Sequence, residues 1–275
     1  MKRIILCIIL LSQLPVFSQN GSVFNYRFKP NRTYIQTVEL REISETKYSG
    51  DSLFRLKVKE NKLKEFESTE NLQHIETVIK TDGLVNDTNY KITFEFTKPL
   101  YNNTPIVPLG TKLFAHCSTR KFMPTIDSVS NLEITKDKSK PLIDLARSII
   151  LNIEFPEKRM TKGEVFFKTY PITFPGKDNE LIIVLVGTGY KLLKIEKGIA
   201  TFEIKQIYKI NPGITKIKPS ISGEGNGILL YDINENFYTK YDLNTKFVFS
   251  VKKENYTIQT TTTSNLSHTV KIVTK

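Results

Sequence analysis

The clearest pattern along this chain is an alternation of apolar and polar residues, which is strongest in the second half. Between residues 200 and 210 apolar side chains hold most even positions, while Thr201, Glu203 and Lys205 hold odd ones. A period of two is typical of a β-strand with one face in a core and one face in water. Residues 90–96 and 247–252 follow the pattern closely. We therefore predict amphipathic strands at these three places.

Other runs rich in β-branched and aromatic residues predict further strands, separated by turn-forming residues. The predicted strands are 23–28, 34–40, 53–58, 165–174, 181–186, 190–195, 228–233, 256–263 and 269–273. The predicted turns are 29–31, 81–83, 175–178, 187–189 and 197–198. Residues 61–69 fit either a turn of helix or a polar edge strand.

One segment has a helical period instead. Its apolar residues recur at three- and four-residue spacing: Leu142, Leu145, Ala146, Ile149 and Ile153. Ser139 is suited to cap the first turn, Pro141 fits that turn, and Pro156 ends the pattern. The sequence therefore predicts one central amphipathic helix near 139–153. Its apolar stripe is wide enough to lie across the concave face of a curved sheet.

Together these elements predict a mainly β fold, a curved antiparallel sheet that forms a half-barrel, barrel or sandwich and so limits exposed strand edges. The expected organisation is a signal peptide at 1–18, a first strand-rich half at 19–136, the helix and a linker at 137–156, and a second strand-rich half at 157–275. We expect both halves to form one domain.

Residues 1–18 have the features of a secretory signal peptide. Lys2 and Arg3 precede a mostly apolar run, and Val16 and Ser18 place small side chains before a cleavage point. The run is too short for a helix that spans a bilayer of about 30 Å. Cys7 lies in the middle of the run, where a lipid-modified cysteine is not expected. We therefore predict an exported protein, periplasmic or extracellular, that is not transmembrane once the signal is removed.

Composition narrows the possible partners. The chain has 275 residues and a formal charge of +12, and the excess of basic residues is larger in the second half. Most of these residues are lysines; Arg159 is the single arginine after residue 156. Because arginine is the usual reader of phosphates and base edges, we expect no nucleic-acid partner. After export the chain keeps one cysteine, Cys117, so its own core must hold the fold without an internal disulfide.

The glycine-rich motif at 223–227 is the most conspicuous candidate for chemistry. Gly223, Gly225 and Gly227 alternate with other residues and precede a strand-like run. A dinucleotide site needs such glycines between a strand and a helix. Alternate glycines in a strand instead mark a bend, or a place where another element packs close to the backbone. We therefore give this motif a structural role.

The remaining reactive residues form no recognisable site. His74, His116 and His268 are far apart, and no cysteine or histidine pair has the spacing of zinc ligands. His116 lies beside Cys117, but neighbouring side chains on a strand point to opposite faces. Hydrolase motifs are absent from the sequence. We assign no catalytic, cofactor-binding or metal-binding residue and expect no cofactor.

The order of several short motifs resembles that of an exported, β-rich family of unknown function from Bacteroidetes-type bacteria. The motifs are residues 24–34, 121–128, 155–163, 190–193 and 198–202, and the three glycines followed by Tyr231 and Asp232. After the linker glycine this chain has Glu164, where relatives often have an aromatic residue. The resemblance implies a secreted β-rich fold and brings no activity, cofactor or catalytic residue.

Three hypotheses of function remain open. The first is a non-catalytic envelope protein that binds a lipid or another apolar or amphipathic ligand in a β concavity. The second is a protein–protein interaction module of the cell envelope that uses a strand edge or the basic second half. The third is an enzyme whose site is scattered over several strands, which a cluster of Asp, Glu or His side chains in one cleft would favour.

Overall fold

The computed structural model describes residues 21–60, 64–120, 123–130, 136–149, 155–156, 158–175, 181–210, 218–252 and 256–274. The predicted signal peptide lies outside these ranges. The elements, in chain order, are β1 (Ser22–Val23), β2 (Arg32–Gly50), α1 (Ser52–Glu60), β3 (Phe66–Leu84), β4 (Asn89–Tyr101), β5 (Thr104–Pro105), β6 (Lys112–Ser118), β7 (Thr125–Ser130), α2 (Lys136–Ile149), β8 (Arg159–Met160), β9 (Val165–Pro175), β10 (Leu181–Glu196), β11 (Ile199–Ile210), β12 (Lys218–Asp232), β13 (Phe237–Lys252) and β14 (Tyr256–Thr274). The prediction of a mainly β, antiparallel protein is confirmed.

One large sheet contains nearly all the strands. Its order is β7-β6-β4-β3-β2-β14-β13-β12-β11-β10-β9, and β5 pairs with β4. Two antiparallel meanders, β2 to β7 and β9 to β14, join where β14 pairs with β2 along the full length of both strands. The short pair β1–β8 lies apart. Since the path ends at β7 and β9, the sheet is open rather than closed into a barrel.

The N-terminal strap, residues 21–29, crosses one face of this sheet, which we call the core face. Phe24 lies 5.1 Å from Phe202 of β11, and Phe28 lies 6.3 Å from Phe94 of β4, measured between ring centroids. Phe28 also lies 5.0 Å from Phe237 of β13, so the rings of Phe94 and Phe237 are at most about 11 Å apart. The four strand steps from β4 to β13 would cover about 19 Å in a flat sheet. The sheet therefore curves around the strap.

The strap is held by hydrogen bonds as well as by its rings. The Tyr90 hydroxyl donates to the Phe28 carbonyl at 2.6 Å, and the Tyr231 hydroxyl donates to the Asn25 carbonyl at 3.0 Å. Arg27 donates to the Thr119 carbonyl at 2.6 Å. The predicted strand at 23–28 is thus wrong beyond Val23, because these backbone groups bond to side chains and turns instead of to a neighbouring strand.

The predicted central helix is present as α2, although it begins at Lys136, so the expected cap Ser139 lies inside it. Leu142 and Ala146 of α2 are buried in the main hydrophobic core. Residues 150–154, the end of the predicted helix, lie outside the described residues.

A second helix, α1, replaces the strand predicted at 53–58. The Asp51 carboxylate accepts a hydrogen bond from the Phe54 amide at 2.8 Å, which caps the first turn. Phe54 stacks on Tyr256 at 4.8 Å, and Val58 is buried.

From Phe66 the segment after α1 belongs to β3, which pairs there with β2 alone because its pairing with β4 begins only at Gln73. The polar edge-strand alternative is therefore confirmed for residues 66–69, which are exposed; residues 61–63 lie outside the described residues.

Two predicted turns lie inside strands. Residues 81–83 belong to the end of β3, where the pairing with β4 shifts by an irregularity between Thr81 and Leu84. Residues 187–189 lie in the middle of β10. A Cβ atom on Gly187 would come within 2.5 Å of the Phe167 ring, so this glycine makes room for a ring from β9. The turn at 197–198 is confirmed, with positive φ at both residues.

Candidate functional site

Side chains of the protein itself fill the core face at one end of the sheet, which we call the near half. This half includes residues 32–40 of β2 and the parts of the neighbouring strands beside them. Phe202, Phe237 and Tyr231 of the sheet pack against the strap, and Phe155 packs 5.2 Å from Phe166. All these residues except Phe155 are buried. Among the described residues, the near half of the core face is therefore occupied by the protein's own side chains.

A row of eight residues, all polar except Gly225, crosses the core face where the near half ends. Antiparallel register places these residues side by side on eight adjacent strands. We call the row the polar belt; from β9 to β3 it is Lys168, Thr188, Gln206, Gly225, Thr245, Ser264, Glu42 and Asn71. A carboxylate or ammonium group on a core face is costly without solvent or a partner. The belt therefore marks the end of the main hydrophobic core, although Ile182, Val184 and Val186 of β10 are buried beyond it.

Hydrogen bonds link neighbouring members of the belt. Gln206 donates from Nε2 to Thr188 Oγ1 at 3.1 Å and accepts at Oε1 from the Tyr208 hydroxyl at 3.0 Å. The hydroxyls of Thr245 and Ser264 lie 2.7 Å apart. These contacts fix the polar groups in place on the sheet.

Beyond the belt, in the far half, the core face has two chemically different sides. On β11 to β13 it carries partly exposed apolar side chains, with Tyr208 and Phe247 rings 5.2 Å apart. On β14 and β2 it carries hydroxyl pairs: Ser44 with Thr262 at 3.1 Å and Thr46 with Thr260 at 3.0 Å. We call the two sides together, that is the far half of the core face, the trough. Its apolar side is formed by Tyr208, Ile210, Ile221, Phe247 and Phe249.

The glycine motif shapes the boundary between core and trough. A Cβ atom on Gly227 would lie 2.1 Å from the Asp242 carbonyl oxygen, and one on Gly223 would lie 2.4 Å from Phe247 Cβ. Cβ atoms on Gly223 and Gly227 would point to the core face and would meet atoms of β13 there. At these positions β13 is therefore displaced from β12 toward the core face, so the sheet bends between the two strands. The predicted structural role of the motif is confirmed, and the bend makes the core face concave.

The opposite, outer face of the sheet carries a polar hollow of about 570 Å³. It lies over β13, β14, β2, β3 and the end of β4. Its side chains include Glu39, Arg41, Leu72, His74, Asp242, Asn244, Asn265 and Ser267. Sequence reasoning missed this hollow, because its members come from separate strands and only the strand register brings them together.

The hollow does gather acidic residues and a histidine, which is the feature that would favour an enzyme. His74 is placed between two carboxylates, 3.3 Å from Glu39 and 2.8 Å from Glu76. Ser267 donates to Asp242 at 2.8 Å. Both ring nitrogens of His74 therefore face carboxylates and neither faces a hydroxyl. Among the described residues of the hollow, the Ser267 hydroxyl bonds to the Asp242 carboxylate and not to His74, so this arrangement lacks a serine–histidine pair.

The other two histidines lie elsewhere. His116 is exposed on the outer face, 2.8 Å from Asp127, while the adjacent Cys117 is buried on the core face. Burial raises the pKa of the Cys117 thiol, which disfavours the reactive thiolate. The two side chains point to opposite faces, as predicted.

His268 belongs to the core. It contacts the Tyr238 hydroxyl at 3.0 Å, and the Tyr238 ring lies 5.4 Å from Tyr26 of the strap. Burial lowers the pKa of His268 to about 3, so the imidazole is neutral in the folded protein near pH 7.

No group of three or more His, Cys, Asp or Glu side chains within the described ranges is arranged to hold a metal ion. Nor does any helix in that part of the chain have the length and apolar character needed to cross a membrane.

Comparison of the chain with protein-family models and with curated proteins gives no match. The resemblance to an exported family therefore stays a prediction from the motifs themselves.

Proposed function

We propose that this chain is an exported, non-catalytic envelope protein that binds an amphipathic ligand in the trough. The observation that carries the proposal is the two-sided far half of the core face. Apolar side chains on β11 to β13 lie beside hydroxyl pairs on β14 and β2, and the polar belt lines one end. A concave surface with apolar walls and a few fixed polar groups is the usual form of a small-molecule site.

The chemistry of the trough suggests how such a ligand lies. An alkyl or ring portion packs against Phe247, Phe249 and Ile221, where it removes apolar surface from water. A polar head reaches the belt, where Glu42 and Ser264 are partly exposed. The packed core of the near half supports a binding role for the trough, because it can stabilise the fold when no ligand is bound.

A binding experiment tests the proposal. The protein is titrated with dansyl-undecanoic acid below its micelle concentration, and dansyl fluorescence reports binding. Phe247→Ser with Phe249→Ser removes the two rings, each contributing about 1.5–3 kcal/mol when fully covered. We expect at least tenfold weaker binding. The control is Phe114→Ser, which removes an exposed ring from the outer face. Equal binding by both variants, or no binding by the unaltered protein, contradicts the proposal.

Export has a separate test, since it rests on residues 1–18 alone. N-terminal sequencing of the protein recovered outside the cytoplasm is expected to begin near residue 19. A cytoplasmic protein that retains Met1 contradicts this part of the proposal.

One observation favours an interaction module as the second candidate. β9 ends the sheet, and it carries exposed Val165, Phe167 and Ile172. An apolar edge strand offers unpaired backbone groups to another strand. If a protein partner is captured by the unaltered chain, Phe167→Lys should abolish the capture and Phe247→Ser with Phe249→Ser should preserve it. That result would favour an interaction module over ligand binding.

A further inference from the structure

The outer face carries a second arrangement that the proposed trough does not use. Strand register places Asn226 of β12 opposite Asn244 of β13, and Asn244 opposite Asn265 of β14. Arg41 and then Leu72 continue the same row on β2 and β3. We call the three amides the asparagine row. Two of them, Asn244 and Asn265, line the polar hollow.

The asparagine row does little for the fold. All three side chains are exposed, and none has a hydrogen-bond partner among the described residues. Asparagine is depleted in β-strands because its amide competes with the ladder and packs poorly on a pleated surface. Three aligned asparagines in the interior of a sheet therefore run against local preference. Such departures are expected at functional sites.

Two charged side chains beside the row are already paired within the protein. Arg41 pairs with Glu70 at 2.7 Å, and Asp242 pairs with Lys240 at 2.7 Å. Glu39 faces His74. The hollow thus holds Arg41 and Asp242 as charges that already have partners of opposite sign. What it offers is neutral amide donors and acceptors, the Ser267 hydroxyl, and the exposed apolar side chain of Leu72.

We propose that the hollow and the asparagine row bind a neutral, polyhydroxylated ligand, a short saccharide chain. Each amide offers two donors and one acceptor, which suits the vicinal hydroxyls of a sugar. The amides follow one another at the strand spacing of about 4.8 Å, a distance comparable with one sugar ring along an extended glycan. Leu72 supplies an apolar contact for a ring face. The volume of about 570 Å³ lies in the range of small-molecule sites.

The test uses the side-chain amides as reporters. The full mature chain is titrated with maltotriose, cellotriose and triacetylchitotriose, and ¹⁵N–¹H spectra follow the asparagine NH₂ groups. We expect at least one probe to shift the signals of Asn244 and Asn265. The double variant Asn244→Thr with Asn265→Thr is expected to bind that probe at least tenfold more weakly and to be no less stable, since threonine has the higher strand preference.

The matched control is Asn89→Thr, which changes an exposed asparagine at the start of β4, outside the hollow. It is expected to keep the affinity of the unaltered protein. The inference is overturned if none of the three probes shifts these amides, or if the double variant binds as tightly as the control. The trough lies on the other face of the sheet, so the double variant should bind dansyl-undecanoate like the unaltered protein. This measurement therefore tests the trough separately from the saccharide site.

Discussion

The same strands build two unlike regions of one sheet face. In the near half the strap, α2 and the strands bury large rings such as Phe28, Tyr34 and Phe237. In the far half the equivalent face carries partly exposed rings beside hydroxyl pairs. The polar belt separates the two regions. Under the proposed function, stability comes from the near half and binding from the far half of the same strands. Each of the following changes tests that division.

The largest effect is expected from a ring in the near half. Phe202 is fully buried and lies 5.1 Å from Phe24 and 5.5 Å from Phe155. Phe202→Ala is expected to cost about 3–5 kcal/mol of unfolding free energy. Phe249→Ala, in the trough, is expected to cost about 1 kcal/mol, because its ring is already partly exposed. Urea unfolding measures both, and similar losses would remove the distinction between the halves.

The bend between core and trough gives the next effect. Gly227→Ala puts a methyl group against the Asp242 carbonyl oxygen, so the backbone of β13 must move. We expect a loss of about 2–3 kcal/mol. Gly110→Ala is the control: it has φ of 76° and no atom within 4 Å of the new methyl, and it is expected to lose about 1 kcal/mol. If Gly227→Ala is as stable as the control, the glycine motif does not set the bend.

Acid should weaken the near half through His268. The unfolded imidazole binds a proton near pH 6.5, while burial lowers the folded pKa to about 3. Between these values the unfolded chain holds the extra proton, so stability is greatest above pH 6.5 and falls by about 1.4 kcal/mol for each pH unit of acidification. Urea unfolding at pH 7 and pH 5 should differ by about 2 kcal/mol from this group.

The contribution of His268 is isolated by substitution. His268→Gln is expected to flatten this part of the pH profile, whereas Phe114→Gln, which changes an exposed and non-titrating side chain, should keep the slope of the unaltered protein. Identical slopes in all three proteins would show that His268 is not held neutral by the core.

The smallest effect is expected from a hydroxyl pair in the trough. Thr46 and Thr260 lie side by side on β2 and β14 with their hydroxyls 3.0 Å apart. Both side chains are partly exposed, so water can replace the lost bond. A double-mutant cycle with Thr46→Val and Thr260→Val is expected to give a coupling of about 0.5 kcal/mol. A coupling above 2 kcal/mol would place this pair in a core rather than in an open trough.

Local patterns predicted the strands well because each alternates along a single segment. β11 follows from residues 200–210 alone, and its face assignment is correct from Ala200 to Ile204. The wrong predictions fall where the local sequence pattern favours one structure and contacts with residues distant in the chain favour another. Gly187 and Gly189 have the composition of a turn, yet the Phe167 ring of β9 packs over them within a strand. Residues 53–58 alternate like a strand, yet the Asp51 cap and the Tyr256 contact favour a helix.

The candidate sites were less predictable than the strands. The polar belt is formed by eight residues on eight different strands, and the asparagine row by three residues on three different strands. A shift of register by one residue would move every member to the other face. No single segment of the sequence specifies the register between strands. The polar belt and the asparagine row can therefore be recognised only from the pairing of neighbouring strands, such as β2 with β14 and β14 with β13.

Isoleucine methyl groups report on both halves at once and test the division most directly. A titration with a monomeric lysophospholipid, followed by the δ1-methyl signals in NMR spectra, compares Ile75, Ile79 and Ile92 of the near half with Ile210 and Ile221 of the trough. We predict that the trough methyls shift while the near-half methyls stay unchanged. Shifts of the near-half methyls, or no shift at all, would contradict the account.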